Sequence, residues 1–274
     1  MTRIRTLAVA LLASVAVSLA AASTAGAAPA FPPAAGADVR PGSMTFTDGG
    51  QCTSNFVFYD GANDLYIGQA AHCAGTDGST ATNGCDAGSL PLGTRVEIEG
   101  ASRPGTLAYS SWLTMQRTGE TDANTCDHND FALVKIDPAD YGEVNPTIPF
   151  FGGPTGMVGS TRSGDTVHSY GNSSLRFGAE PLKPKEGKSL GQSGGGWNHQ
   201  VYTVTPGIPG DSGSGFIDAQ GRAFGTLSTV QLAPTPASNG VSDLGRELAY
   251  MESNTTLDVT LAEGTEPYRG GRLP

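Results

Sequence analysis

Past its first 27 residues, this 274-residue chain has no apolar run long enough to cross a bilayer, which excludes a membrane-spanning helix there. Cations are few: 16 Lys and Arg stand against 26 Asp and Glu, for a net charge of -10. So acidic a surface argues against nucleic acid and anionic membranes as partners. No C-x-x-C pair and no H-E-x-x-H occurs, so a metal centre has no support and no cofactor is expected. No central stretch has a 3.6-residue apolar period and no internal repeat is visible, so helix is scarce.

What is present begins with a leader. Arg3 and Arg5 precede the apolar run Leu7 to Ala22, and Ala25-Gly26-Ala27 is a small-residue cleavage site, so 1–27 reads as a secretory signal. An anchor is the alternative, but the run is short, Ala-rich and followed by Pro29, Pro32 and Pro33. The expectation is a secreted, extracellular protein with no membrane attachment after signal removal. Losing the two arginines moves the charge from -10 to -12. Residues 28–42 are rich in Pro, Ala and Gly without periodicity and read as a flexible leader, with order starting near Met44.

Four cysteines in an exported chain imply two disulfides. Three connectivities are open, and the favoured one pairs Cys52 with Cys73 and Cys85 with Cys126. Short β-type runs follow, separated by Gly, Asn, Asp and Pro: 55–59, 65–69, 95–99, 106–109, 131–136, 166–170, 200–204, 214–217 and 223–230. With 39 glycines for tight turns, this is an all-β sandwich or pair of barrels. Leu244, Leu248 and Met251 at i, i+4 and i+7, behind Ser242 as N-cap, predict one short helix near the end. Residues 265–274 read as a frayed polar tail.

Three segments carry chemistry: Gly68-Gln69-Ala70-Ala71-His72-Cys73, Asn129-Asp130-Phe131-Ala132 and Gly210-Asp211-Ser212-Gly213. A Ser hydroxyl needs a base within hydrogen-bond reach, and that base needs a third group to fix its tautomer. Alone, each segment has a bland reading: a Gly-Ser turn, a buried histidine, a strand-edge acid. His128 is a rival base without a rigid element before it, and Asp127 is a rival acid in a polar loop. The residues at 122, 124 and 127 could be imagined as a cation site, but scattered loop carboxylates are more often solvated.

Taken together in the order His, Asp, Ser, the segments resemble the trypsin-like (chymotrypsin-fold) serine peptidases, in particular their secreted bacterial members, from about Cys52 to Met251. The resemblance implies two packed six-stranded antiparallel β-barrels with a short C-terminal helix, forming a peptidase domain over 43–274. It also implies His72 as general base, Asp130 as its orienting acid, Ser212 as nucleophile, and Gly210 with Ser212 as oxyanion-hole amide donors. Cys52 and Cys73 match that family's disulfide beside the catalytic histidine. A monomer acting on proteins or peptides follows, with an esterase or a non-catalytic binding protein on the same fold as alternatives. An α/β-hydrolase needs its His after its Ser, whereas His72, His128, His168 and His199 all precede Ser212. Gly191-Gln192-Ser193-Gly194-Gly195 matches G-x-S-x-G but has no acid before His199, and reads as a glycine-rich surface loop.

The chain departs from the family in two places. It has no Ile-Val-Gly-Gly start, so Asp211 is not assigned a new N-terminal amine as partner; in bacterial members an internal cation can serve, which one is left open, and activation by signal removal alone is expected. The resemblance puts the base of the primary specificity pocket about six residues before the serine, at Pro206, and with no acid from Gly187 to Gly210 Lys or Arg before the scissile bond is disfavoured. The same resemblance implies a pocket wall in Ser228-Thr229-Val230, where the β-branched Val230 takes the place often held by Gly, so a small or medium apolar residue is expected before the scissile bond.

Overall fold

A computed structural model describes residues 28–48, 50–77, 82–231 and 237–271. The expected signal segment lies outside the described residues. Strands β1 (Met44–Thr47), β2 (Gly50–Thr53), β3 (Val57–Asp60), β4 (Leu65–Gln69), β5 (Arg95–Ile98), β6 (Gly105–Ser110) and β7 (Ala132–Lys135) belong to the first half of the chain. They form one antiparallel sheet with the late strand β14 (Val259–Leu261), in the order β14-β3-β4-β7-β6-β5-β1-β2. The second half closes a six-stranded barrel from β8 (Thr166–Tyr170), β9 (Pro184–Ser193), β10 (Asn198–Thr203), β11 (Gly215–Asp218), β12 (Ala223–Gln231) and β13 (Ser238–Asp243). The expected all-β, two-unit architecture is present. Its first unit is an eight-stranded sheet that recruits β14 from the far end of the chain.

Burial follows the sequence pattern. β5 alternates exposed and buried because one face meets solvent, whereas β4, Leu-Tyr-Ile-Gly-Gln, is buried throughout between β3 and β7. One apolar cluster, with Val57, Ile67, Leu107, Trp112 and Val134, fills the first unit. Another, with Val167, Val201, Phe216, Phe224 and Val241, fills the barrel. A third joins the two through Phe56, Phe58, Phe131, Phe151, Ile217 and Leu248, and so fixes their relative placement.

Helices α1 (Ser111–Thr118) and α2 (Ala123–His128) span eight and six residues, too few to display a period. Side-chain caps start both: Ser110 accepts from Leu113 N, and Asp122 accepts from Thr125 N at 2.9 Å. Helix α3 (Leu244–Asn254) buries Leu244, Leu248 and Met251 as expected. Its N-cap is Asp243 rather than Ser242, because the longer carboxylate reaches Arg246 N at 2.9 Å. The expected glycine-rich loop is strand β9 up to Ser193, followed by a 3-10 turn over Gly194–Gly196. With Leu190 as its sole large apolar residue, β9 shows no alternation; its pairing with β8 and β10 holds it extended.

The described residues at both flanks depart from expectation. The leader packs down: Phe31 lies on the first core, and Val39 is fully buried and bridged to Val144. Asn145 Nδ2 donates to Pro32 O at 2.6 Å and to Thr265 Oγ1 at 2.9 Å. Phe31, Ala34, Ala37 and Val39 bury apolar surface from this Pro- and Ala-rich stretch, and with the Asn145 bond they seat it on the crossover between the units. Residues 265–271 of the tail are seated as well, through Arg269 N to Phe151 O (2.8 Å) and Tyr268 Oη to His168 Nδ1 (2.9 Å). Among the described residues no helix is long and apolar enough to cross a membrane.

Candidate active site

Strand pairing brings the histidine and the aspartate together. β4 and β7 run antiparallel with Gln69 opposite Ala132, so the residues just after β4 meet those just before β7. His72 stands in the 3-10 turn Ala71–Ala74 and Asp130 two residues before β7. His72 Nδ1 lies 2.6 Å from Asp130 Oδ2, and His72 N donates to Oδ1 at 2.8 Å. Ser228 Oγ donates to Oδ2 at 2.6 Å. Asp130 is 4% exposed, and its carboxylate is held below its ordinary range: burial pushes it up, but the His72 charge and these hydrogen bonds outweigh that. Burial pulls His72 down, and the Asp130 charge and hydrogen bond carry it above its ordinary value. A carboxylate only accepts, so Nδ1 carries the proton and Nε2, across the ring, is the basic nitrogen.

The Ser212 loop is seated against the same turn. Thr53 N donates to Ser212 O at 2.8 Å, and Thr53 follows Cys52, whose disulfide to Cys73 pins the residue after His72. Gly213, at φ +87°, passes so close to Ala70 N and Thr53 O that a Cβ there would need both to shift. Gly210, at φ +94°, is fixed through its carbonyl, which accepts from Thr53 Oγ1 at 2.7 Å and Gln51 Nε2 at 3.0 Å. The amides of Asp211 and Gly213 are committed to Ile208 O and Leu227 O, whereas those of Gly210 and Ser212 donate to no acceptor among the described residues.

Beside the serine, Asp211 is fully buried, and its Oδ2 lies 2.7 Å from Arg176 Nη2 and 2.9 Å from Lys185 Nζ. Ser173 N and Ile208 N add hydrogen bonds at 3.1 Å each. Asp211 is thus paired with two cations from within the chain. Burial depresses the Lys185 ammonium, an effect the Asp211 charge opposes. Neither cation carried a motif; Lys185 sits in a strand that sequence pattern does not reveal.

The other expected site residues fall as follows. Both favoured disulfides form, Cys52–Cys73 and Cys85–Cys126. Cys52, His72 and Cys73 are the one grouping of metal-ligand atoms among the described residues, but with both sulfurs bonded to each other no thiolate remains to bind an ion. Ser228 occupies an irregularity in the β12–β13 pairing between Leu227 and Thr229, and its hydroxyl is turned onto Asp130. Val230 is 45% exposed and Pro206 O accepts from Arg176 Nη2 at 2.9 Å, which ties the segment before the serine to the Asp211 cluster. Asp127 is exposed and Asp122 serves as a helix cap. His199 belongs to a second hydroxyl–imidazole–carboxylate line with Thr161 (2.8 Å) and Asp243 (2.8 Å), all three of them buried.

No protein-family model and no curated protein sequence matches this chain. Solved structures do. Thermobifida fusca protease A aligns with a TM-score of 0.52 at 15% identity, over 82% of this chain and 99% of its own. A Glu endopeptidase solved in complex with MPD aligns with a TM-score of 0.50 at 15% identity, over 79% of this chain and 91% of its own. The closed barrel, the companion antiparallel sheet and the short late helix thus make up the two-barrel fold of the bacterial trypsin-like serine proteases.

Proposed function

We propose that this chain is a secreted serine endopeptidase. The observation that carries the reading is the 2.6 Å contact of His72 Nδ1 with a buried Asp130 that is itself held by Ser228. That pairing leaves Nε2 as a base of raised proton affinity, facing away from the carboxylate. Ser212 Oγ attacks the scissile carbonyl carbon as His72 Nε2 takes its proton, and a C–O bond forms. The carbonyl oxygen becomes an oxyanion that the amides of Gly210 and Ser212 receive. Collapse breaks the C–N bond, the His72 proton goes to the leaving amine, and water repeats the sequence to free Ser212.

Arg176 and Lys185 support activation without a new N-terminal amine, because the charge of Asp211 is already answered from within. The two disulfides support export, since they persist in oxidising compartments. With Pro206 at the pocket base, the backbone of Ser228 and the side chain of Val230 on its wall, and no acid from Gly187 to Gly210, the primary pocket takes an uncharged residue rather than Lys or Arg. The test is fluorophosphonate labelling of the mature protein together with cleavage of a peptide library. Label on Ser212 and cleavage outside Lys and Arg are expected; a protein that takes no label and cuts no peptide refutes the reading.

A further inference from the structure

Behind Asp130 stands one more acid, which the three-residue mechanism does not use. Glu247 lies on α3 between Leu244 and Leu248, so the helix periodicity that buries those two buries it as well, and it is fully inaccessible. Its Oε1 accepts from Asp130 N at 3.3 Å. Its Oε2 lies 3.3 Å from Thr226 Oγ1, which in turn accepts from Asn55 Nδ2 at 3.3 Å. Asp130 is thereby gripped at both ends, the carboxylate by His72 and Ser228 and the backbone by Glu247. The titratable groups facing Glu247 are Asp130 from the approach to β7, Asp243 from the end of β13 and Tyr109 from β6. No salt bridge among the described residues includes it. Burial, reinforced by the Asp130 and Asp243 charges, raises its pKa well above the ordinary carboxylate range. An ionised carboxylate here would be a second buried negative charge beside Asp130, with no counter-ion to offset its desolvation.

We propose that Glu247 is a neutral carboxylic acid that acts as a positioning residue, holding the backbone of Asp130 so that its carboxylate meets His72 without a further charge behind the pair. The kinetic part of this inference rests on the peptidase reading. Protonation gives the acid both an acceptor for Asp130 N and an O–H donor toward its hydroxyl neighbours, a combination that glutamine reproduces and leucine does not.

The test uses the mature protein labelled with carbon-13 at glutamate carboxyls, with the Glu247 resonance assigned by its loss in Glu247→Gln. The resonance is expected to keep its protonated shift at pH 7; an ionised shift there overturns the proposal whether or not the protein is a peptidase. The low-field proton signal of His72 Nδ1 is expected unchanged in Glu247→Gln and displaced or broadened in Glu247→Leu. In turnover, Glu247→Gln keeps kcat and the acid limb of the pH profile, while Glu247→Leu loses about tenfold in kcat at unchanged KM, the size of one buried hydrogen bond left unmade. A Glu247→Leu protein with full kcat and an unmoved Nδ1 proton, or a Glu247→Gln protein with a shifted acid limb, overturns it. Should the leucine variant not fold, the carbon-13 titration and the glutamine comparison decide. A protein without peptidase activity in which Glu247 titrates as neutral refutes the functional reading and leaves the charge state of Glu247 standing.

Discussion

Replacing Asp211 by Asn should destabilise the protein far more than replacing either of the cations that hold it. In the intact cluster one buried carboxylate serves Arg176 and Lys185 through the same oxygen, together with two backbone amides. Asp211→Asn leaves two cations sealed from water with no anion between them. At a separation of about 5 Å and an effective dielectric near 20, their repulsion alone is ~3 kcal/mol, before the lost pairing is counted. Lys185, already depressed by burial, can relieve part of this by losing its proton. The expected net cost is about 4 kcal/mol, within the range for breaking a buried pair from one side, and corresponds to a fall in Tm of roughly 8–16 °C for a chain of this size. Lys185→Met, by contrast, keeps the Arg176 pair and both amides and removes a like-charged neighbour, so about 1 kcal/mol or less is expected. Urea unfolding of the two variants, compared at equal m, reads the difference. Equal midpoints, or a Lys185→Met variant less stable than Asp211→Asn, would refute the account of Asp211 as the hub of the cluster.

Ser212→Ala should lower kcat by on the order of 10⁶ with an unchanged Tm, checked by turnover and calorimetry. Because His72 must be neutral to accept a proton and its pKa lies above the ordinary 6.5, kcat/KM should fall as the pH drops through a midpoint above 6.5; a midpoint below 6.5 contradicts the assigned coupling to Asp130. Ser228→Ala removes a donor from Asp130 Oδ2 and should cost about tenfold in kcat with little change in KM, measured by steady-state kinetics. Replacing Cys52 and Cys73 by Ala reopens a 21-residue loop, and chemical denaturation should register a loss of about 3 kcal/mol.

How much of this was legible beforehand differs by residue. His72 and Asp130 were readable because each stands next to an apolar strand, and two strands that pair bring their ends together. Asn129-Asp130 before Phe131 and Ala71-His72 after Gln69 carry that information locally. The Asp211 partners were not readable, since Arg176 lies in an exposed turn between Ser174 and Phe177 and Lys185 in a strand without alternation. Their role depends on a fold that buries both beside one carboxylate. The hydrogen bond from Ser228 to Asp130 has no signal in the sequence, because it depends on the offset in strand pairing at that position. Glu247 had a signal in the sequence, an acid falling between Leu244 and Leu248 on a face otherwise apolar. Helices α1 and α2 were missed because six to eight residues hold too few turns for a period, and β14 because its partner β3 lies about 200 residues earlier.

Asn145 reaches Pro32 O with the same nitrogen that reaches Thr265 Oγ1. One amide on the crossover therefore buckles the beginning and the end of the described chain to a single point. Cutting away the segment at either end would strip one acceptor from this amide and loosen the seam where the two halves join, while the other end keeps its own contacts.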